Sequence, residues 1–328
     1  MTTKRETSIK AQALQFFARA GVVVYLVVLV VAFGLVNPEF LAPQTLLSII
    51  SVSSPLIVVS AAMTMCLICA EVDLSVVGVV GLASTITALL ITRGFPWPVA
   101  VPAAVAAGTV LGAVNGLLTS RLVSVMPFFP SFFPTLATTA LALGLAEAML
   151  PSKQAIAISD PGFASVFGFA GKFNIPILYA VAVVVLMHLV LTRTSFGYRI
   201  QAVGANRRAA PLVGINVKRT KFLVLTVSGA LAGFGGVLTA GFFQAGHSML
   251  GRGYDLDTIG AAVIGGTALF GGKGNVIASV WGVLVLAVLN TGLQIVHVEP
   301  AIQLAATGAL VVIAVAVDLY VRRRLAVS

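Results

Sequence analysis

The sequence predicts an all-α polytopic membrane bundle of about ten transmembrane helices with both termini cytoplasmic. Three observations carry that expectation. Of 328 residues, 59% are hydrophobic and only 9% charged, with a mean hydropathy of +1.07; soluble domains are about 45–50% apolar and about 25% charged. The chain also divides into ten apolar runs, and at about 20 residues per span ten spans need roughly 200 positions. Lastly, basic residues are unevenly placed between those runs. Together these features exclude a soluble enzyme, a receptor with a large extramembrane domain and, despite a net charge of +10, a nucleic-acid binder.

The runs fall at 21–36, 45–69, 75–92, 99–119, 132–150, 175–192, 222–243, 256–270, 276–296 and 301–320. Lys4, Arg5, Lys10 and Arg19 precede the first, and Ala32-Phe33-Gly34 would serve as a cleavage site, so the start resembles a signal peptide. Apolar runs continue throughout the chain, which favours an uncleaved first span. The second run ends on Cys66 and Cys69. Spaced i, i+3, they share one helix face, and no second pair completes a zinc site, so both are expected to pack. Breaks at Asn37-Pro38-Glu39, Gly94 to Pro98, Pro127 with Pro130, Asp160-Pro161-Gly162, Gly271-Gly272-Lys273-Gly274 and Glu299-Pro300 contain helix breakers. The eighth run is short and glycine-rich, hence expected to be broken or merged with a neighbour. Gly108, Gly112 and Gly116, and again Gly229 with Gly233, form GxxxG steps that let helix backbones approach closely.

With a cytoplasmic N-terminus, ten spans place 16 Lys and Arg inside and leave Arg93, Lys153, Lys172 and Arg252 outside, as the positive-inside rule requires. The organisation is therefore a cytoplasmic segment 1–20, one transmembrane domain 21–320 and a cytoplasmic tail 321–328. Within the domain, the loop 193–221 holds Arg193, Arg199, Arg207, Arg208, Lys218, Arg219 and Lys221 and no acid. It reads either as a solvated loop beside anionic headgroups or as a docking segment. Asn206 is placed to cap a short helix through Val213, with Gly214 in the C-terminal position and Pro211 in the tolerated first turn.

Catalytic and metal signatures are missing: there is no HExxH, no GxSxG and no acidic cluster, and the 271–274 glycine-lysine stretch lacks the P-loop spacing. Polar residues at membrane depth stand out instead. Glu71 and Asp73 are expected in a turn or cavity, while Glu147 and His188 suit interfacial or helix-pairing roles. Asp73, Asn115, Thr135, Thr138 and Asn290, with Thr139, Gln294 and Gln303, either line a path for a neutral hydroxyl-rich solute or join helices by hydrogen bonds. Asp73-Leu-Ser75 followed by Asn115 is echoed by Asp255-Leu-Asp257 followed by Asn290, at spacings of 42 and 35 residues. In a ten-span arrangement these segments run in opposite directions, so the echo is an inverted repeat or a chance similarity.

Asp73-Leu-Ser75, Thr135-Leu-Ala-Thr138, Phe196 to Gly204, Asn206-Arg-Arg-Ala-Ala210 with Gly214-Ile-Asn-Val217, Ser228 to Gly233, Gly253-Tyr-Asp-Leu-Asp257, Val263 to Thr267 and Leu269-Phe-Gly-Gly272 together resemble the ribose-type sugar ABC transporter permeases. The resemblance runs in order from about 37 to 320. It implies a permease subunit of the bacterial inner membrane that works with a second permease copy or paralogue. Two cytoplasmic ATPase subunits, or one duplicated chain, would hydrolyse the ATP, and a periplasmic binding protein would deliver the sugar. No cofactor, metal or nucleic acid is implied for this chain. Asn206, Arg207, Arg208, Ala209, Ala210, Gly214 and Ile215 match the family's ATPase-coupling segment, and 193–221 becomes a coupling loop. The chain departs from the family at Arg207 and Arg208, where acidic residues are common. It departs again at Ala70-Glu71, in place of a glycine pair, and at Leu143, in place of an arginine. A nucleoside or amino-acid ABC permease, or an ion-coupled carrier acting alone, is the competing expectation; a carrier would need a midplane ionisable group such as Glu147 or the Glu71-Asp73 pair.

Overall fold

The computed structural model describes residues 21–122, 130–150, 153–170 and 173–326. The predicted segment 1–20, Pro127, Lys172 and the side chains of the predicted tail lie outside the described residues. Each of the ten apolar runs contains a helix: α1 Gly21–Val36, α2 Pro43–Ile68, α3 Val76–Thr92, α4 Trp97–Leu122, α5 Phe132–Met149, then, after a short α6 Pro161–Phe167, α7 Pro176–Arg193 and, after α8 Ser195–Ala205 in the 193–221 loop, α9 Val217–Phe243, α10 Tyr254–Ile264, α11 Val276–Ile295 and α12 Pro300–Ala326. Six of them (α2, α4, α5, α7, α9 and α11) are long and apolar enough to cross a membrane, and α1, α3 and α12 carry shorter apolar stretches. The chain is thus a polytopic helical membrane protein.

The eighth run is the exception. It supplies only the 11-residue α10, roughly 16 Å long, about half of a hydrocarbon core near 30 Å thick. Gly265 caps α10, and Gly266, Gly271 and Gly272 take left-handed φ values of +83°, +94° and +84° that turn the chain back, a conformation glycine adopts without steric cost. The all-α expectation needs a second, smaller amendment. Two-residue strands β1 (Ile156–Ala157) and β4 (Ala245–Gly246) pair antiparallel, as do β2 (Phe169–Ala170) and β3 (Phe173–Asn174). They tie down the loop around α6, whose first turn is capped by Asp160 Oδ1 accepting from Phe163 N at 2.6 Å.

α9 lies at the centre, packed on α4, α3 and α2. The glycine rows read from the sequence face each other there. A Cβ on Gly108, Gly112 or Gly229 would lie 2.5, 2.4 or 2.3 Å from a backbone oxygen of the opposite helix, so α4 and α9 meet at a separation only glycine permits. Cys66 and Cys69 are free thiols, both fully buried, as their shared face predicts. Glu147 joins α5 to the turn Ser248–Gly251 by accepting from Ser248 Oγ at 2.6 Å.

Candidate functional site

Residues 69–75 cross from α2 to α3 without helical structure, yet they are mostly buried: Cys69, Glu71, Asp73 and Ser75 have no exposed surface. Irregular backbone inside a membrane bundle is tolerated only where protein satisfies its polar groups, and here neighbouring helices do so. Ala70 takes φ +57°, the left-handed turn that a glycine would adopt more readily. Asp73 Oδ1 then accepts from Ser75 N at 3.0 Å and from Ser75 Oγ at 2.5 Å, an aspartate-type turn that starts α3. From there the bonds run outward through the bundle. Asp73 Oδ2 accepts from Ser228 Oγ of α9 at 2.6 Å, and Ser75 Oγ accepts from Asn115 Nδ2 of α4 at 3.0 Å. Asn115 Oδ1 accepts in turn from Thr138 Oγ1 of α5 at 2.5 Å. Thr135 Oγ1 donates within α5 to Ser131 O at 2.8 Å, and Thr139 Oγ1 donates to Leu74 O at the same distance.

Beside this chain lies a feature the sequence reading missed. Lys221 Nζ donates to Glu71 Oε1 in an ion pair whose side chains are 2% and 0% exposed. Glu71 Oε2 also accepts from Ser131 N at 3.0 Å, and Ser131 Oγ bridges Val72 N and O at 3.1 and 2.7 Å. Lys221 therefore does not belong with the solvent-facing charges of the 193–221 loop, as expected from the sequence; it sits in the first turns of α9 and faces inward. The only sequence signal for this was that Glu71 and Lys221 each interrupt the edge of an apolar run.

Asn290 stands apart from the other four candidate path residues. Its Oδ1 accepts from Thr307 Oγ1 of α12 at 2.9 Å, and it lines a partly open cavity of about 260 Å3 with Ser53, Phe242, Tyr254, Asp257 and Gln294 among others. The cavity lies against the N-terminal half of α2, while Asp73 follows that helix's C-terminus. Ser53 and Ile68 are roughly 22 Å apart along the axis. Asp73, Asn115, Thr135 and Thr138 therefore gather at one end of the bundle and Asn290 at the other. Leu143 is not among the cavity's lining residues.

The 206–215 segment, expected to couple to an ATPase, has the local geometry its sequence implies, with one change. Asn206 Oδ1 accepts from Arg208 N and Ala209 N, both at 3.0 Å. The helix that follows is the four-residue 3-10 turn Ala210–Val213 and not an α-helix, ended after one turn by Gly214. Gly214 closes it with φ +79°, its N–H reaching Ala210 O and Pro211 O. Ala210 is buried, whereas Leu212 and Val213 are 86% and 75% exposed. Asn216 then caps α9 by accepting from Arg219 N at 2.9 Å, one turn before Lys221. Among the described residues, no group of three His, Cys, Asp or Glu side chains is placed to hold a metal ion.

Residues 45–315 match the family described as branched-chain amino acid transport system / permease component. The D-allose transport system permease protein AlsC of Escherichia coli (strain K12) is 31% identical over 92% of this chain and 92% of its own length. The galactose/methyl galactoside import permease protein MglC of the same strain is 32% identical over 94% and 96%, and the ribose import permease protein RbsC of Bacillus subtilis (strain 168) is 30% identical over 89% and 90%. No solved structure matches the chain.

Proposed function

The chain belongs to this family of ABC transporter permeases and is a transport subunit, not an enzyme, and on that premise we propose that it carries a sugar inward through the bacterial inner membrane, driven by ATP hydrolysis on partner subunits. The partners are two ATPase subunits or one duplicated chain, a second permease copy or paralogue, and a periplasmic binding protein that delivers the solute. Ten membrane passes with both termini cytoplasmic put the coupling segment inside, the eighth pass being made by the short α10 and the non-helical residues after it, which reach Ile68 O through Gly272 N. The chain forms a single permease domain over 21–320 between the cytoplasmic segments 1–20 and 321–328.

The observation that carries this reading is the placement of the 206–215 turn. Its exposed tip, Leu212 and Val213, is backed by Asn206, Arg207, Arg208, Ala209, Ala210, Gly214 and Ile215, and it leads within one helical turn to Lys221 and the buried network. A push on the turn by a closing ATPase pair passes along α9 to Glu71 and Ser131, and so to α3 and α5. The solute path runs through the cavity at Asn290, at the far end. Asp73, Asn115, Thr135 and Thr138 act on that path by setting how α3, α4, α5 and α9 pack.

Copurification tests the reading. The ATPase partner is retained by the wild-type chain and lost when residues 206–215 are replaced by a glycine-serine linker. Sugar uptake that persists in cells lacking any ATPase partner overturns it.

A further inference from the structure

We propose that Asp257 is the residue of this permease that reads the solute, its two carboxylate oxygens accepting hydrogen bonds from neighbouring hydroxyls of a neutral sugar in the cavity. The inference rests on the sugar-importer reading and adds the residue that selects the substrate.

Other carboxylates of the bundle interior are satisfied by protein: Glu71 by Lys221 and Ser131, Asp73 by Ser75 and Ser228, Glu147 by Ser248. The Asp257 carboxylate has no hydrogen-bond or ion-pair partner among the described residues, although its backbone N–H donates to Gly253 O at 2.9 Å, and it lines the cavity. An unpaired carboxylate at membrane depth is costly, and a ligand bearing donors removes that cost. In the same lining, Asn290 Oδ1 accepts from Thr307 Oγ1, which leaves its amide N–H groups for an acceptor. Acceptor and donor facing one space suit hydroxyl groups, which supply both. An ammonium ligand would satisfy the carboxylate and leave the amide without an acceptor. Phe242 and Tyr254 add aromatic walls for the C–H faces of a sugar ring.

The internal echo adds an independent argument. In the first copy, Ser75 and Asn115 are hydrogen-bonded to each other at 3.0 Å. Their counterparts, Asp257 and Asn290, line a cavity instead. Protein closes the first position, and the second is left for a solute.

The test measures uptake of radiolabelled D-ribose, D-allose and D-galactose by cells expressing the full transporter with wild-type, D257N or D255N permease. Asp255 lies in the same first turn of α10 but does not line the cavity, so it controls for charge near the helix start. D257N is expected to raise the KM of the transported sugar roughly 10- to 100-fold, the scale of a lost charge-assisted hydrogen bond, with solute-free ATPase activity unchanged; D255N changes KM less than about twofold. Monodeoxy analogues lacking the hydroxyls read by Asp257 lose uptake with the wild type and lose little more with D257N. Equal KM values for the two variants, or an identical deoxy profile in wild type and D257N, overturn the assignment. If D257N does not assemble, D257E is profiled in its place: a shifted deoxy profile supports the assignment, and the wild-type profile overturns it. A wild-type transporter that takes up none of the three sugars refutes the importer reading itself, and Asp257's role falls with it.

Discussion

Glu71 and Asp257 are carboxylates of one helical bundle in opposite circumstances. Glu71, at the end near the coupling turn, is fully buried, ion-paired with Lys221 and bonded to Ser131 N. The Asp257 carboxylate, at the other end, has no partner among the described residues and borders a cavity. The difference separates a carboxylate whose partners are built into the fold, where a buried charge is tolerated, from one whose proposed partner is a ligand. Type and depth alone do not separate the two, since each carboxylate lies at the edge of an apolar run.

Substitutions at the paired end should show the largest effects. Lys221→Met strands the Glu71 carboxylate and is expected to cost about 3–5 kcal/mol, seen as loss of monodisperse protein in detergent and a lowered thermal transition. The double variant Glu71→Met with Lys221→Met should recover most of that loss, because no charge is left unpaired; a double variant as unstable as the single one contradicts the pairing. Gly112→Leu attacks the seam on which the paired end rests. Its side chain would meet Leu225 O, and overpacking of this kind costs about 1–3 kcal/mol, with reduced expression as the readout. Ser228→Ala removes one donor from buried Asp73 and should cost about 1–2 kcal/mol in the same thermal assay. Asn290→Ala, at the cavity end, should cost least in stability: a hydrogen bond between membrane helices averages about 0.6 kcal/mol. Sugar uptake should nevertheless fall in that variant, and a stability loss matching that of Lys221→Met would erase the distinction between the two ends.

Several features were legible in the chain itself. The apolar helices follow from side-chain transfer free energy summed over about 20 neighbouring positions, and nine of the ten runs coincide with helices, the eighth being helical only over Tyr254–Ile264. The local geometry of the 206–215 turn was equally legible, because an Asn206 cap and a left-handed Gly214 depend on residues a few positions apart. Other features required the fold. The glycines of α4 could have met any helix, and they meet Gly229 of α9. Lys221 looked like one more loop cation until the rotation of α9 about its axis turned it toward Glu71, 150 residues away in sequence. The candidate path residues divided between two ends for the same reason. Hydropathy and capping are local sums that a sequence displays directly. Which face of a helix meets which neighbour is set by the packing of the whole bundle, and that packing leaves Glu71 paired and Asp257 open.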